Sequence, residues 1–175
     1  MKDLIRIKSM LSTETEKHLN QQIKKEAQAS AIYLGMAGWC DRNGYEGAAN
    51  HFYTQSDEER GHQLKLFKFV SDMGGTAISP EVSDIKQEYG SFREVFEEAL
   101  EHEITVTQSF KNIMAQCHKE GDYSTIEYLN WFVKEQREEE YIARRILELF
   151  DVIGEEGTGR WNIDRHIHKI EYNEA

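Results

Sequence analysis

Asp57-Glu58-Glu59-Arg60-Gly61-His62 lies inside a run with a strong helical pattern. Phe52, Leu66, Val70 and Met73 recur at the 3.6-residue period of one helix face. Glu59 and His62 fall in the middle of that face. Residues i and i+3 are neighbours on a helix surface, so the carboxylate and the imidazole point the same way. A buried carboxylate is costly unless it is paired, hydrogen-bonded or metal-bound. The pair therefore needs partners from elsewhere in the chain.

The helix holding this stretch starts near Tyr45-Glu46 and stops at Gly74-Gly75. Upstream, a first helix opens near Ser12 or Thr13, with Thr13 and Glu16 at capping-box spacing. Its stripe is Leu19, Ile23, Ala27, Ser30, Leu34 and Ala37, and it ends at the breaker pair Asn43-Gly44. Downstream, Ser91-Phe92-Arg93-Glu94 is a second capping box. It opens a helix with Phe92, Phe96, Ala99, Val106, Phe110, Ile113 and Cys117 on one face. Gly121-Asp122 breaks the chain and caps a fourth helix, whose stripe is Leu129, Phe132, Val133, Ala143, Ile146, Leu147 and Phe150. Gly154, Gly157 and Gly159 end the regular part, and a short fifth helix falls within about 159–170.

The stretch 74–90 contains Pro80 and reads as a long connection. Roughly 17 extended residues reach at most about 56–61 Å. A helix of roughly 28 residues is about 42 Å long. The connection can therefore run the length of the bundle, which permits the second and third helices to be parallel. The expected fold is all-α: a four-helix bundle over about 12–152 with one long crossover between the second and third helices and a short fifth helix. It is expected to form a single domain over 1–175.

Composition narrows the function. Charged residues make up 30% of the chain and the formal net charge is -11, which argues against a nucleic-acid or anionic-membrane surface. The apolar runs fall short of the ~20 residues of a membrane span. Met1 to Thr15 has Lys2, Arg6 and Lys8 but no continuous apolar core, so no signal peptide is expected there. Cys40 and Cys117 form no CxxC pair and read as two reduced thiols, which places the chain in the cytoplasm.

Each long helix carries polar residues on its apolar face: Glu26, then Glu59 with His62, then Glu103, then Gln136 with Glu139. All lie within a few residues of their helix midpoints, at about 27, 60, 105 and 137. Midpoints meet at one level of a bundle whichever way each helix runs. Four carboxylates, an imidazole and an amide thus converge on one layer. Such a layer needs cations, and an oxygen-rich set with one imidazole suits iron, manganese or another first-row dication.

At these residues the chain resembles the ferritins, and most closely the bacterial non-haem ferritins, over about residues 12–170. The resemblance is carried by Glu26-x6-Tyr33, Ala37-Gly38-Trp39-Cys40, Phe52 through Glu58-Glu59-x-x-His62, Glu103, and Trp131 through Glu140. It implies an iron-storage protein with ferroxidase activity, a homo-oligomeric shell of 24 subunits, and dioxygen or peroxide as oxidant. It implies that Glu26, Glu59 and His62 bind a first iron. Glu59, Glu103 and Glu139 would bind a second, with Glu59 bridging and Gln136 beside it. It implies a third site at Glu58, Glu135, Glu138 and Glu139, although a charge run of this kind reads equally as a solvated face. Tyr33 resembles the tyrosine beside such a centre, and reads equally as a core tyrosine with its hydroxyl satisfied. Trp39, Trp131 and Met36 read as packing, and His102, beside Glu103 in sequence, points to another face. Arg60 stands where bacterioferritins carry a haem-ligating methionine, so no haem is expected. The alternative is a di-iron or di-manganese oxidase or catalase for a small substrate, which needs the same ligands and no shell.

Overall fold

The computed structural model describes residues 8–172; the basic positions Lys2 and Arg6 of the leader-free reading lie outside them. Five helices follow in order: α1 (Thr13–Arg42), α2 (Glu46–Asp72), α3 (Phe92–Glu120), α4 (Tyr123–Ile153) and α5 (Gly159–Ile167). The described residues contain no strand, and the all-α bundle with one long crossover is as expected. No helix among them is long and apolar enough to cross a membrane.

The helix starts are set by side-chain caps. Ser12 Oγ accepts the Thr15 N–H at 3.0 Å, so Ser12 is the cap of α1 rather than Thr13. Glu16, the expected capping-box partner, instead accepts the Thr76 N–H of the crossover at 3.2 Å. Ser91 caps α3 through the Glu94 N–H at 3.1 Å, and Glu94 reaches back to the Gly90 N–H at 2.6 Å. Asp122 caps α4 by accepting the Thr125 N–H at 3.0 Å. Tyr45, at the start of α2, supplies no side-chain cap. That role passes to α5, where Asp164 accepts the N–H groups of Gly47 and Ala48 at 3.0 and 2.8 Å. The approach needs a glycine, since a Cβ at position 47 would meet the Asp164 carbonyl oxygen at 2.2 Å.

The hairpin at Asn43-Gly44 makes α1 and α2 antiparallel. At their crossing, Ser30 Oγ donates to the Ser56 carbonyl at 2.8 Å and Ser56 Oγ returns a bond to the Ser30 carbonyl at 2.7 Å. The crossover then runs along α1, held by Asn20 at Thr76 and Ile78, by Gln28 at Ser83, and by Arg42 at Gln87. It delivers the chain to the far end of the bundle, so α3 runs parallel to α2 and antiparallel to α1. Ser12 and Thr15 at the start of α1 accordingly donate to Glu120 at the end of α3, each at 2.7 Å.

The apolar core falls into two clusters. One is built around Tyr33, Phe52, Phe92, Phe96 and Phe150, with Ile163 and Ile167 of α5. The other holds Leu19, Ile23, Leu66, Phe110, Leu129 and Phe132. Glu26, Glu59, Glu103 and Gln136 lie between them along their helices. Two stripe positions are corrected: Leu34 is 54% exposed and Val133 is 44% exposed. Each is the chain neighbour of a buried residue, Tyr33 or Phe132, and one residue turns a helix by about 100°.

Gly61 lies inside α2, and a Cβ there would meet nothing within 4 Å. No steric reason keeps a glycine at this point, and its backbone freedom costs about 1 kcal/mol relative to alanine. Gly61→Ala is expected to stabilise the protein by about that amount, a rise in melting temperature of roughly 2–4 °C. Calorimetry checks this; a fall in melting temperature would mean the open space is needed.

Candidate metal centre

Glu26 comes from α1, Glu59 and His62 from α2, Glu103 from α3, and Gln136 and Glu139 from α4. All six side chains are buried. No lysine or arginine among the described residues is buried with them. Protons or incoming cations must therefore balance the carboxylates.

One trio is ready-made. Glu26, Glu59 and His62 each offer a ligand atom, and the three atoms lie within 4.8 Å of one another. His62 Nδ1 is 3.3 Å from Glu59 Oε2. The ring is held edge-on by Trp131 and Phe132 at 5.4 and 5.8 Å. Lys65 Nζ sits 3.2 Å from the centroid of the Trp131 ring, so Trp131 is a lid on His62 as well as a packing residue. Glu26 Oε1 accepts from Gln22 Nε2 at 2.6 Å, whereas no amide, hydroxyl or backbone N–H donates to the buried Glu26 Oε2, and the further partner of this carboxyl is that of Glu59. A carboxylate oxygen without a fixed donor in a dry layer is the atom a cation would satisfy.

Glu103 is held differently. The Tyr33 hydroxyl donates to Glu103 Oε1, and Gln136 Nε2 donates to Glu103 Oε2 at 3.0 Å. Each oxygen thus accepts one hydrogen bond and keeps a lone pair for a cation. Tyr33 is a core tyrosine whose hydroxyl is satisfied, and the group that satisfies it belongs to the carboxylate layer. Glu139 sits between two spaces. Inward, it shares a small cavity with Tyr33, Gln55 and Glu103. Outward, it lines a surface groove with Glu58, Glu135 and Glu138. The acidic run is thus the rim of a passage that ends at Glu139.

Burial dominates the protonation of the layer. It pushes the Glu59 carboxyl up to about 8, against a hydrogen bond with Glu26. Burial, reinforced by the charge of Glu59, holds Glu26 well above the usual carboxylate range. Burial and the charges of Glu103, Glu58 and Glu135 do the same to Glu139. Burial raises Glu103, while the bonds from Tyr33 and Gln136 oppose it.

The sequence pattern misses two contributors, Gln22 and Gln55. Gln22 lies four residues before Glu26 on the same face and is fully buried. Gln55 donates to Glu58 at 2.6 Å. His102 does not join the carboxylates, but its ring stands edge-on to Tyr33 at 5.8 Å. Its Nε2 is buried without a partner, and burial lowers it to about 4.

This is the helix arrangement of a ferritin-like bundle, and the family comparison agrees with the fold. A family model described as a ferritin-like domain matches residues 16–153. The chain belongs to the ferritin family. A bacterial non-heme ferritin of Campylobacter jejuni is 37% identical over 161 residues, 92% of this chain and 96% of that protein. A probable bacterial non-heme ferritin-like protein of Haemophilus influenzae is 36% identical, over 92% of this chain and 98% of that one. Among solved structures, an open pore ferritin from the archaeon Archaeoglobus fulgidus superposes with a TM-score of 0.87 at 33% identity, covering 92% of this chain and 99% of that one.

Raised carboxyls give the metal-free protein a defined pH response. Between about 4.3, where an unfolded glutamate titrates, and about 8 for Glu59, the folded state holds a proton that the unfolded state has lost. The contribution of this group to stability therefore falls as pH rises through that window. Glu59→Gln removes the titration and should make the melting temperature of the metal-free protein fall less between about pH 5 and about pH 8. Scanning fluorimetry of both proteins checks this; identical slopes would mean Glu59 is not protonated in the folded layer.

Proposed function

We propose that this protein is an iron-storage ferritin that oxidises Fe(II) at the mid-bundle carboxylate layer. The observation that carries the proposal is the layer itself: four buried carboxylates and an imidazole, one or more from each long helix, with no buried lysine or arginine among the described residues. Iron is the substrate. The acidic groove of Glu58, Glu135 and Glu138 attracts Fe(II) and leads it to Glu139. The first ion is held by Glu26 Oε2, Glu59 and His62. The second is held by Glu59, Glu103 and Glu139, with the bonds from Tyr33 and Gln136 orienting Glu103. Glu59 is the shared ligand, and Gln136 keeps its place beside the second ion. The groove residues Glu58, Glu135 and Glu138 form a third, outer site.

Each Fe(II) gives one electron, and dioxygen takes up two electrons and two protons to leave as peroxide. Burial raises Glu26, Glu59 and Glu139, so cation binding to the layer displaces protons from it. Burial of the layer keeps bulk water away and places the two ions at a fixed spacing. Tyr33, bonded to Glu103, is placed to pass a proton or an electron at its hydroxyl. Fe(III) then moves to a mineral inside a cytoplasmic 24-subunit shell, since one four-helix subunit encloses no space for a mineral.

Aerobic Fe(II) addition tests this reading. Wild-type protein should oxidise Fe(II) rapidly and retain it as an electron-dense core in a large assembly. Glu59→Ala should lower the initial oxidation rate by at least about tenfold. Equal rates in the two proteins would place the chemistry elsewhere. A monomer or dimer by analytical ultracentrifugation would favour a small-substrate oxidase instead.

A further inference from the structure

Gln22 is fully buried on the apolar face of α1, between Leu19 and Glu26. A buried amide is unfavourable unless both its ends are bonded, and here both are. Its Nε2 donates to Glu26 Oε1 at 2.6 Å, and its Oε1 accepts from the Ser109 hydroxyl of α3 at 2.5 Å. The relay has a direction. Only a donor can face a carboxylate oxygen, so the amide nitrogen turns to Glu26 and the Ser109 hydroxyl takes the other end. A leucine of similar volume would fill the same space without needing either bond.

What the relay does is seen by comparing Glu26 with Glu103. Glu103 has a donor on each oxygen. Glu26 has a fixed donor on Oε1 alone; its Oε2 is buried without one, and the further partner of this side chain is the Glu59 carboxyl. We propose that Gln22, held by Ser109, is a positioning residue that restricts Glu26 to one ligating oxygen, Oε2. It thereby sets the coordination number and affinity of the first cation site. The inference rests on the metal-centre reading above. Gln22 touches neither cation nor oxidant; it acts through Glu26, as groups that hydrogen-bond metal ligands do.

The test is an anaerobic titration of the metal-free assembly with Co(II), whose visible absorption reports both occupancy and coordination number. Gln22→Leu should weaken the first Co(II) by about 10–100-fold. It should also lower the band intensity at saturation, because the freed carboxylate can chelate through both oxygens. Ser109→Ala, at a partly buried position, should shift affinity in the same direction by less, and Ser109→Thr, which keeps the hydroxyl, should restore it. Should Gln22→Leu fail to fold, the Ser109 pair decides alone. Wild-type affinity and spectrum in Gln22→Leu and Ser109→Ala overturn the relay, provided Glu26→Gln has lost the first Co(II). If Glu26→Gln also binds as wild type does, the metal-centre reading falls and the relay with it.

Discussion

Four carboxylates buried at one level of a helical bundle, with no lysine or arginine among the described residues buried beside them, are the constraint on which the rest of the structure depends. The cost of removing such charges from water greatly exceeds what a few hydrogen bonds return. The chain meets that cost in three ways. Protons stay on the carboxyls, as the raised Glu26, Glu59 and Glu139 indicate. Amides and a phenol donate from Gln22, Gln136 and Tyr33. Two aromatic-rich clusters, one on each side, supply the apolar burial that holds the layer shut. A core built around acids is stable only through its apolar flanks, and it gains most from a ligand that brings positive charge.

The asymmetry within the layer follows from the donors. Glu26, Glu59 and His62 already converge. Glu103 is latched at both oxygens by groups from α1 and α4. One half of the layer has a carboxylate oxygen with no fixed donor, and the other has its carboxylate oriented by two. Both halves are fixed by helices rather than loops.

Much of this was legible from spacing alone. The four long helices appear within a residue or two of where capping residues and glycines place them, because those residues act locally. The intruding acids were visible because a carboxylate on an apolar stripe has no ordinary explanation. What the sequence hid is non-local. Gln22 looks like any polar residue of α1 until Ser109, on another helix, is seen to fix its amide. Leu34 and Val133 fit an apolar period, and only packing shows that Tyr33 and Phe132 take the interior instead. Of the two starts offered for α1, Ser12 is the cap, and Ser12 and Thr15 also bond Glu120, more than a hundred residues later. Neither capping-box spacing nor helix periodicity encodes a partner that far along the chain.

The Asp164 cap on α2 bears on how the molecule is made. The helix that carries Glu59 and His62 begins without a cap of its own and takes one from α5. During synthesis, more than a hundred residues must follow Gly47 before that carboxylate exists. Until α5 is made, the first turn of α2 has no side-chain cap, so a nascent chain that has not yet reached α5 has a carboxylate-bearing helix that is still unfastened at its start.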